Sequence, residues 1–450
     1  MKLSKDIPSG AGLYGATFDC TCGRTHTIEP REMIVADYAL DRLPDACARA
    51  LSADGGHGTR AAVLMDARTR EVAGSEAADR LRQAGWTVAE HVVADPRPGA
   101  SPVCDDITKE ALDAEIGEVD VFVAVGSGVL NDLAKWLSFG RGVPYVVFAT
   151  AASMTGYTSA NVAPAVAGVK TLVRAAPPAA VLSSLPVLCG APYELTASGF
   201  GDAVAKIVSS ADWRMNALLF GDFYCPQAVA LVADVEPLYL DRPEAVRSRD
   251  RAAMAALFEA LNLTGVSMTM AGTSSPASGG EHLVSHALDM MSSLGGRAHD
   301  LHGRQVGVGT VLAAAVYERV LALESPDLAV PSGGVDRAFW GRLADEVAGH
   351  YAEKRPRLES AAAQLFQGDA WDRLRAELAP MVRSPGAVRD CLARAGAAVT
   401  ASDIGCNRAR LLAAFGHAHE MRARFTVLDL AHLVGVMPVA AEGIVDAWAV

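Results

Sequence analysis

The stretch Val119-Asp120-Val121-Phe122-Val123-Ala124-Val125-Gly126-Ser127-Gly128-Val129-Leu130-Asn131-Asp132-Leu133-Ala134-Lys135 constrains the fold of this chain more than any other. A short β-branched apolar run ends in Gly-Ser-Gly and passes straight into a helical pattern. The glycines permit a tight turn and let backbone N–H groups approach a phosphate, and the helix directs its positive end to the same point. A lone Gly-x-Gly turn often does no more than join strand to helix, but here both flanking elements are legible. Gly126, Ser127 and Gly128 are therefore read as the pyrophosphate cradle of a nicotinamide dinucleotide.

Strands alternate with helices around this turn. Ala61 to Met65 reads as a buried strand ending at Asp66, Glu76 to Ala84 as a helix closed by Gly85, and Trp86 to Val93 as a second strand. Asp105 to Ile116 is a helix, the helix after the glycine turn runs to Phe139, and Tyr145 to Thr150 is another buried strand. This alternation implies a parallel sheet covered on both faces. Asp66 stands at a strand's C-terminal end, where open α/β sheets bind ligands. Its carboxylate can accept both ribose hydroxyls of an adenosine, which favours NAD. Arg68 and Arg70 can instead meet a 2′-phosphate, which leaves NADP open, and Asp66 can also simply cap a turn. The acid precedes the glycine turn by about sixty residues, an order unlike the common dinucleotide fingerprint.

The proline-rich run from Arg174-Ala175-Ala176-Pro177-Pro178 to Ala191-Pro192 breaks the pattern and reads as a connector. Beyond it the periodicity is helical, over Ala252 to Asn262, Glu281 to Met291, Val306 to Leu323 and Arg337 to Glu353. The last third is rich in strong helix formers. The expected architecture is an α/β nucleotide-binding domain over residues 1–184 and an all-α domain over 185–450, and 450 residues suit two domains. With 51% apolar and 20% charged residues the chain folds into packed cores, and a net charge of −12 argues against binding nucleic acid or anionic membranes. No apolar run reads as a membrane span, and residues 1–6 lead into no signal sequence. Eight scattered cysteines fit reduced thiols, so a cytoplasmic location is expected. Cys20-Thr21-Cys22-Gly23-Arg24-Thr25-His26 offers zinc ligands, but a structural site needs a fourth and none sits nearby, so the segment is read as a hairpin turn.

Three places in the helical half carry chemistry. Gly199-Phe200-Gly201-Asp202 sets a carboxylate at a helix start, one turn ahead of Lys206. Gly279-Gly280-Glu281-His282-Leu283-Val284-Ser285-His286 puts two imidazoles on one helical face. Asp300-Leu301-His302-Gly303-Arg304 puts a third histidine at another helix start. One carboxylate and two or three histidines from separate helices can make an open divalent site with positions left for substrate. Taken singly, the same residues read as caps and satisfied core groups, with Asp202 as an N-cap.

These pieces, together with Asp212-Trp213, Thr150-Ala151-Ala152-Ser153-Met154 and Arg424-Phe425-Thr426-Val427-Leu428-Asp429-Leu430, resemble the glycerol-1-phosphate dehydrogenases, and most closely their bacterial branch. The likeness extends to the wider superfamily of iron-containing alcohol dehydrogenases and dehydroquinate synthases, and it covers nearly the whole chain. The resemblance implies a dehydroquinate synthase-like two-domain fold with cofactor and metal facing each other across a cleft. It implies reduction of dihydroxyacetone phosphate to sn-glycerol 1-phosphate, and assigns the metal (zinc, nickel or iron) to Asp202, His282 and His302. NAD or NADP then lies on Asp66, Gly126, Ser127, Gly128, Asn131, Asp132, Thr150 and Ser153. His286, one turn from His282, is expected to relay a proton or to support the metal ligands from behind, with Thr155, Lys206 and Arg304 completing the catalytic set.

Two positions depart from the family pattern. Thr155 stands where an acid usually follows Ser-Met, and Arg304 stands where Glu usually follows His-Gly, so the site gains about three units of positive charge. Either the pocket takes a more anionic keto-phosphate, or Arg304 makes a structural ion pair and Thr155 supplies an equivalent hydroxyl. A non-redox cyclase or lyase of the dehydroquinate synthase type, using NAD transiently, is the alternative to a dehydrogenase. The expected partners are a small phosphorylated substrate and further copies of the chain, with no nucleic acid or membrane.

Overall fold

The computed structural model describes residues 8–53, 55–97 and 99–450; the charged start at residues 1–6 lies outside them. The chain divides into two compact units, Met1–Gly199 with Pro226–Gly272, and Phe200–Cys225 with Thr273–Val450. The sequence placed a single boundary near residue 184. The structure instead crosses inside a helix, and residues 226–272, helical and so assigned to the second domain, belong to the first unit.

The first unit opens with a hairpin of β1 (Thr17–Asp19) and β2 (Thr25–Thr27), so Cys20 to Arg24 is its loop, closed by Gly23 at φ 83°. The sheet that follows is six-stranded and all parallel. Its strands are β3 (Glu32–Val35), β4 (Arg60–Met65), β5 (Thr87–Val92), β6 (Val121–Gly126), β7 (Tyr145–Ala149) and β8 (Ala180–Ser183), in the order β3-β8-β7-β6-β4-β5. Every residue of β6, β7 and β8 is buried, as continuous Val/Ile/Leu runs in a two-face-covered sheet require. The register pairs Val123 with Val63 on one side and Val146 on the other. Helices α1 (Leu43–Ala53), α2 (Ser75–Gln83), α3 (Asp106–Glu115) and α4 (Gly128–Arg141) connect the strands. Chain order reverses between β4 and β6, so Asp66 and the glycine turn stand on either side of the switch point.

Two readings of the sequence are corrected here. The connector around residues 174–192 contains β8, a strand paired with both β3 and β7. Pro177 and Pro178 precede it and withhold no ladder donor from it, while Val181 and Leu182 fill its core positions. The pattern over Arg337 to Glu353 is two helices, Arg337–Trp340 and Ala344–Leu365, separated by a tight turn at Gly341–Leu343 where Gly341 takes φ 49°.

The first crossing falls within α5 (Tyr193–Val204); α6 (Lys206–Phe220) follows in the second unit, and α7 (Arg251–Ala271) closes the inserted part of the first. By length and composition α7 qualifies as a membrane span, contrary to the reading of the sequence. Its apolar window is 83% buried inside the protein, and Thr158 Oγ1 donates to Asn262 O at 2.6 Å. Gly265 makes this approach possible, since a Cβ there would lie 2.8 Å from Thr155 O.

Among its described residues the second unit contains helices and connecting loops and no strand. Its core elements are α6, α8 (Gly280–Leu294), α9 (His302–Leu321), α10 (Ala344–Leu365) and α11 (Val427–Leu433). Helices α8 and α9 lie side by side, with Gly309 against Glu281 O and Ser285 Oγ hydrogen-bonded to the Gln305 amide at 2.9 Å.

Candidate metal centre and cofactor turn

Glycine spacing assembles the candidate metal site. A Cβ at Gly201 would stand 2.2 Å from Gly303 O, so α5 and the start of α9 touch backbone to backbone. A Cβ at Gly309 would stand 2.4 Å from Glu281 O, so α8 and α9 touch in the same way. Three helix segments thereby bring Asp202, His282 and His302 together, with one ligand atom from each lying within 4.8 Å of the others. Asp202 is not the helix N-cap of the sequence reading. It sits in the last turn of α5, and Lys206, four residues on and buried, opens α6. Gly201 is there for the crossing with Gly303, and a start signal and a packing glycine look alike in a sequence.

Asp202 and His282 are almost fully buried, with Asp202 Oδ1 3.4 Å from His282 Nε2. The other ring nitrogen, His282 Nδ1, lies 2.8 Å from Glu281 Oε1. Burial lowers the proton affinity of His282, but the carboxylates of Asp202 and Glu281 outweigh it and raise the pKa to about 9. The His302 ring centroid is 5.1 Å from that of His282, and its Nδ1 lies 3.2 Å from Ser285 Oγ. His286 is half-buried one turn along α8, its ring stacked on His302 at 5.7 Å and 6.0 Å from His282. A carboxylate with two imidazoles, converging from buried positions, is a donor set that fits Zn2+, Ni2+ or Fe2+.

Arg304 Nε donates to Asp300 Oδ2 at 3.1 Å, and its Nη2 donates to Asp403 O. This is the structural ion pair of the two readings, and Asp300 offsets the charge that Arg304 adds. Thr155 is buried in the loop after β7, its carbonyl oxygen against Gly265.

In the first unit the glycine turn follows β6 as expected. A Cβ at Gly126 would meet Leu130 Cβ at 2.7 Å, and one at Gly128 would meet Met154 Sδ at 3.3 Å. Ser127 is the N-cap of α4, yet no side chain caps the first turn and no acid lies within it. Its leading N–H groups thus keep their capacity for an anion. Thr150 and Ser153 are buried beside this edge, with Thr150 N donating to Gly126 O at 3.0 Å. Asn131 Nδ2 donates to Asp132 Oδ1 at 3.0 Å. Burial raises the Asp132 pKa, the ammonium of Lys135 opposing it.

Asp66 is already engaged. Its Oδ1 accepts from Arg68 N and Thr69 N, both at 2.8 Å, in a capping box, while Oδ2 pairs with Arg68 Nη2 at 2.9 Å. Arg68 also pairs with Asp95 at 2.8 Å. The capping role is therefore present, and any ribose contact has to share the remaining lone pairs.

Two residues with evident roles escaped the sequence reading. Lys135 is wholly buried and donates to Gly156 O, Ser159 Oγ and Asn161 O at 2.6–3.2 Å, tying the loop that carries Thr155 to α4. Burial brings its pKa down to about 8. Glu281 is the other, and its signal was an acid immediately before a candidate ligand, His282.

Comparisons with known proteins place the chain in a family. Residues 35–192 match the iron-containing alcohol dehydrogenase family. A glycerol-1-phosphate dehydrogenase (NAD(P)+) of Geobacillus stearothermophilus is 30% identical over 421 residues, covering 91% of this chain and 94% of that one. The chain belongs to the glycerol-1-phosphate dehydrogenase family. Another such dehydrogenase, from Bacillus licheniformis, is 28% identical over 425 residues and covers 93% of each chain. The two-domain fold of the family is shared with glycerol dehydrogenase from Schizosaccharomyces pombe, at a TM-score of 0.58 and 15% identity over 99% of this chain and 94% of that one.

Proposed function

We propose that this member of the glycerol-1-phosphate dehydrogenase family interconverts dihydroxyacetone phosphate and sn-glycerol 1-phosphate, using NAD(P)(H) and one divalent metal ion. The observation that carries the reading is the convergence of Asp202, His282 and His302 within 4.8 Å in a chain similar to these enzymes over nine-tenths of its length. When bound, the metal supplies Lewis-acid polarisation of the substrate oxygen and the nicotinamide supplies or accepts the hydride. Asp202, His282 and His302 hold the metal. The uncapped start of α4, with Gly126, Ser127 and Gly128, binds the cofactor diphosphate, and Asn131, Asp132, Thr150 and Ser153 shape the turn beside it. His286, stacked on His302, moves the proton to and from the substrate oxygen, and Lys206 adds positive charge near Asp202. Thr155 presents its hydroxyl to the substrate.

The pairing of Arg304 with Asp300 supports the triose phosphate over a more highly charged keto-phosphate, since the extra cation is neutralised locally. Names of the relatives favour the dehydrogenase over the cyclase alternative. The protein works in the cytoplasm as a homo-oligomer, without nucleic acid or membrane. The test is metal analysis of the purified chain with NADH and NADPH oxidation on a panel of keto-phosphates. Stoichiometric cofactor oxidation with dihydroxyacetone phosphate, abolished in Asp202→Ala and His302→Ala, is the expected result. Turnover without any change in NADH absorbance would reject the reading in favour of the cyclase.

A further inference from the structure

We propose that Glu281 is a positioning residue for the metal centre, fixing His282 with Nδ1 as the donor so that Nε2 is the pole that faces Asp202. The proposal rests on the metal-site reading above and adds a residue to it. Neighbouring residues on a helix point about 100° apart, so a carboxylate and an imidazole at consecutive positions do not ordinarily meet. Here they do, at 2.8 Å, because Glu281 folds back over the start of α8 and also accepts from Gly279 N at 2.7 Å. The fold-back has a space kept for it. A Cβ at Gly279 would lie 2.8 Å from Glu281 Oε2 and 2.5 Å from Asp212 Oδ2.

Glu281 is fully buried, and ordering an acid there costs free energy that a capping role alone does not require. A carboxylate can only accept, so it selects the His282 tautomer with Nδ1–H and aims the Nε2 lone pair. The same contact makes the imidazole a more basic ligand. His302 receives a weaker form of this support, from Ser285 Oγ at 3.2 Å.

The test measures Zn2+ affinity of the full-length chain, stripped of metal and titrated against a chromophoric chelator, together with the visible spectrum of the Co2+-loaded protein. Glu281→Ala is expected to weaken Zn2+ binding by about 10- to 100-fold, and Glu281→Gln, which keeps an acceptor oxygen, by less. Both should shift the Co2+ bands. Zn2+ affinity within about twofold of the parent in both variants, with an unmoved Co2+ spectrum, overturns the proposal. If Glu281→Ala does not fold, Glu281→Gln decides by the same two readouts. Asp202→Ala runs in parallel and separates the two levels of the argument. Loss of Zn2+ in Asp202→Ala with full retention in the Glu281 variants removes the positioning role and leaves the metal site standing. Full Zn2+ retention in Asp202→Ala as well removes both.

Discussion

Gly201 and Gly309 hold the proposed metal centre together through close backbone contacts. At each, the atom that a methyl group would strike is a backbone carbonyl, which no rotamer change can move aside. Gly201→Ala should therefore pry α5 from the start of α9, separate Asp202 from His302 and cost about 1–3 kcal/mol. Elemental analysis should find the variant largely metal-free, with a lower Tm than the parent. Asp66 makes a second residue-scale prediction. Asp66→Ala removes an N-cap and should cost about 1 kcal/mol, whereas Asp66→Asn keeps the acceptor and should cost little. If Asp66 also holds the ribose, the Asn variant shows a raised KM for NADH at unchanged Tm. The sequence displayed the three candidate ligands, because Asp and His flanked by glycines are unusual in a helical half. It could not display why the glycines were there, since a packing glycine is defined by the element that crosses it.

At the scale of elements, the strand–turn–helix around Gly126 was legible because its pattern is local: an apolar run, a break and a new period. The start of α4 carries no side-chain cap, which leaves its N–H groups for the diphosphate proposed to bind there. Gly126→Ala would push on Leu130 and displace the leading N–H groups, raising KM for NAD(P)H by about tenfold, equivalent to about 1.4 kcal/mol. Steady-state kinetics and Tm together distinguish this from general destabilisation. β8 was missed for the opposite reason. It is four residues long, starts two residues after a pair of prolines, and gains its place only by pairing with β3 and β7, both of which lie far upstream of it in the chain. The loop carrying Thr155 was equally opaque, because Lys135 holds it from more than twenty residues upstream.

Across the whole molecule, the chain buries ionisable groups that the proposed chemistry does not use, and these set its tolerance of acid. In the second unit Lys354 and Asp429 form a pair at 2.8 Å with neither side chain exposed. His419 and His432 lie nearby with ring centroids 3.7 Å apart. Burial, then the Lys354 ammonium, pulls His432 down to about 4, with Glu420 opposing. Burial, His432, Lys354 and His417 pull His419 well below its usual value. Both imidazoles are thus neutral in the folded state, while the unfolded chain takes up protons below about pH 6.5. Their contribution is intact above that pH and is lost as pH falls towards 4, by about 3 kcal/mol for His432 alone. Tm recorded between pH 8 and pH 4 should be level at first and then fall, and His432→Gln should flatten part of the fall.

The winding of the chain has a practical corollary. Because the sheet-bearing unit is completed by residues 226–272, a gene fragment stopping after residue 199 would encode the dinucleotide turn but omit the helix that Thr155 and Thr158 lean on. Such a fragment should be recovered as insoluble material. Neither unit is one continuous stretch of chain, so neither can be moved into another gene as a single cassette.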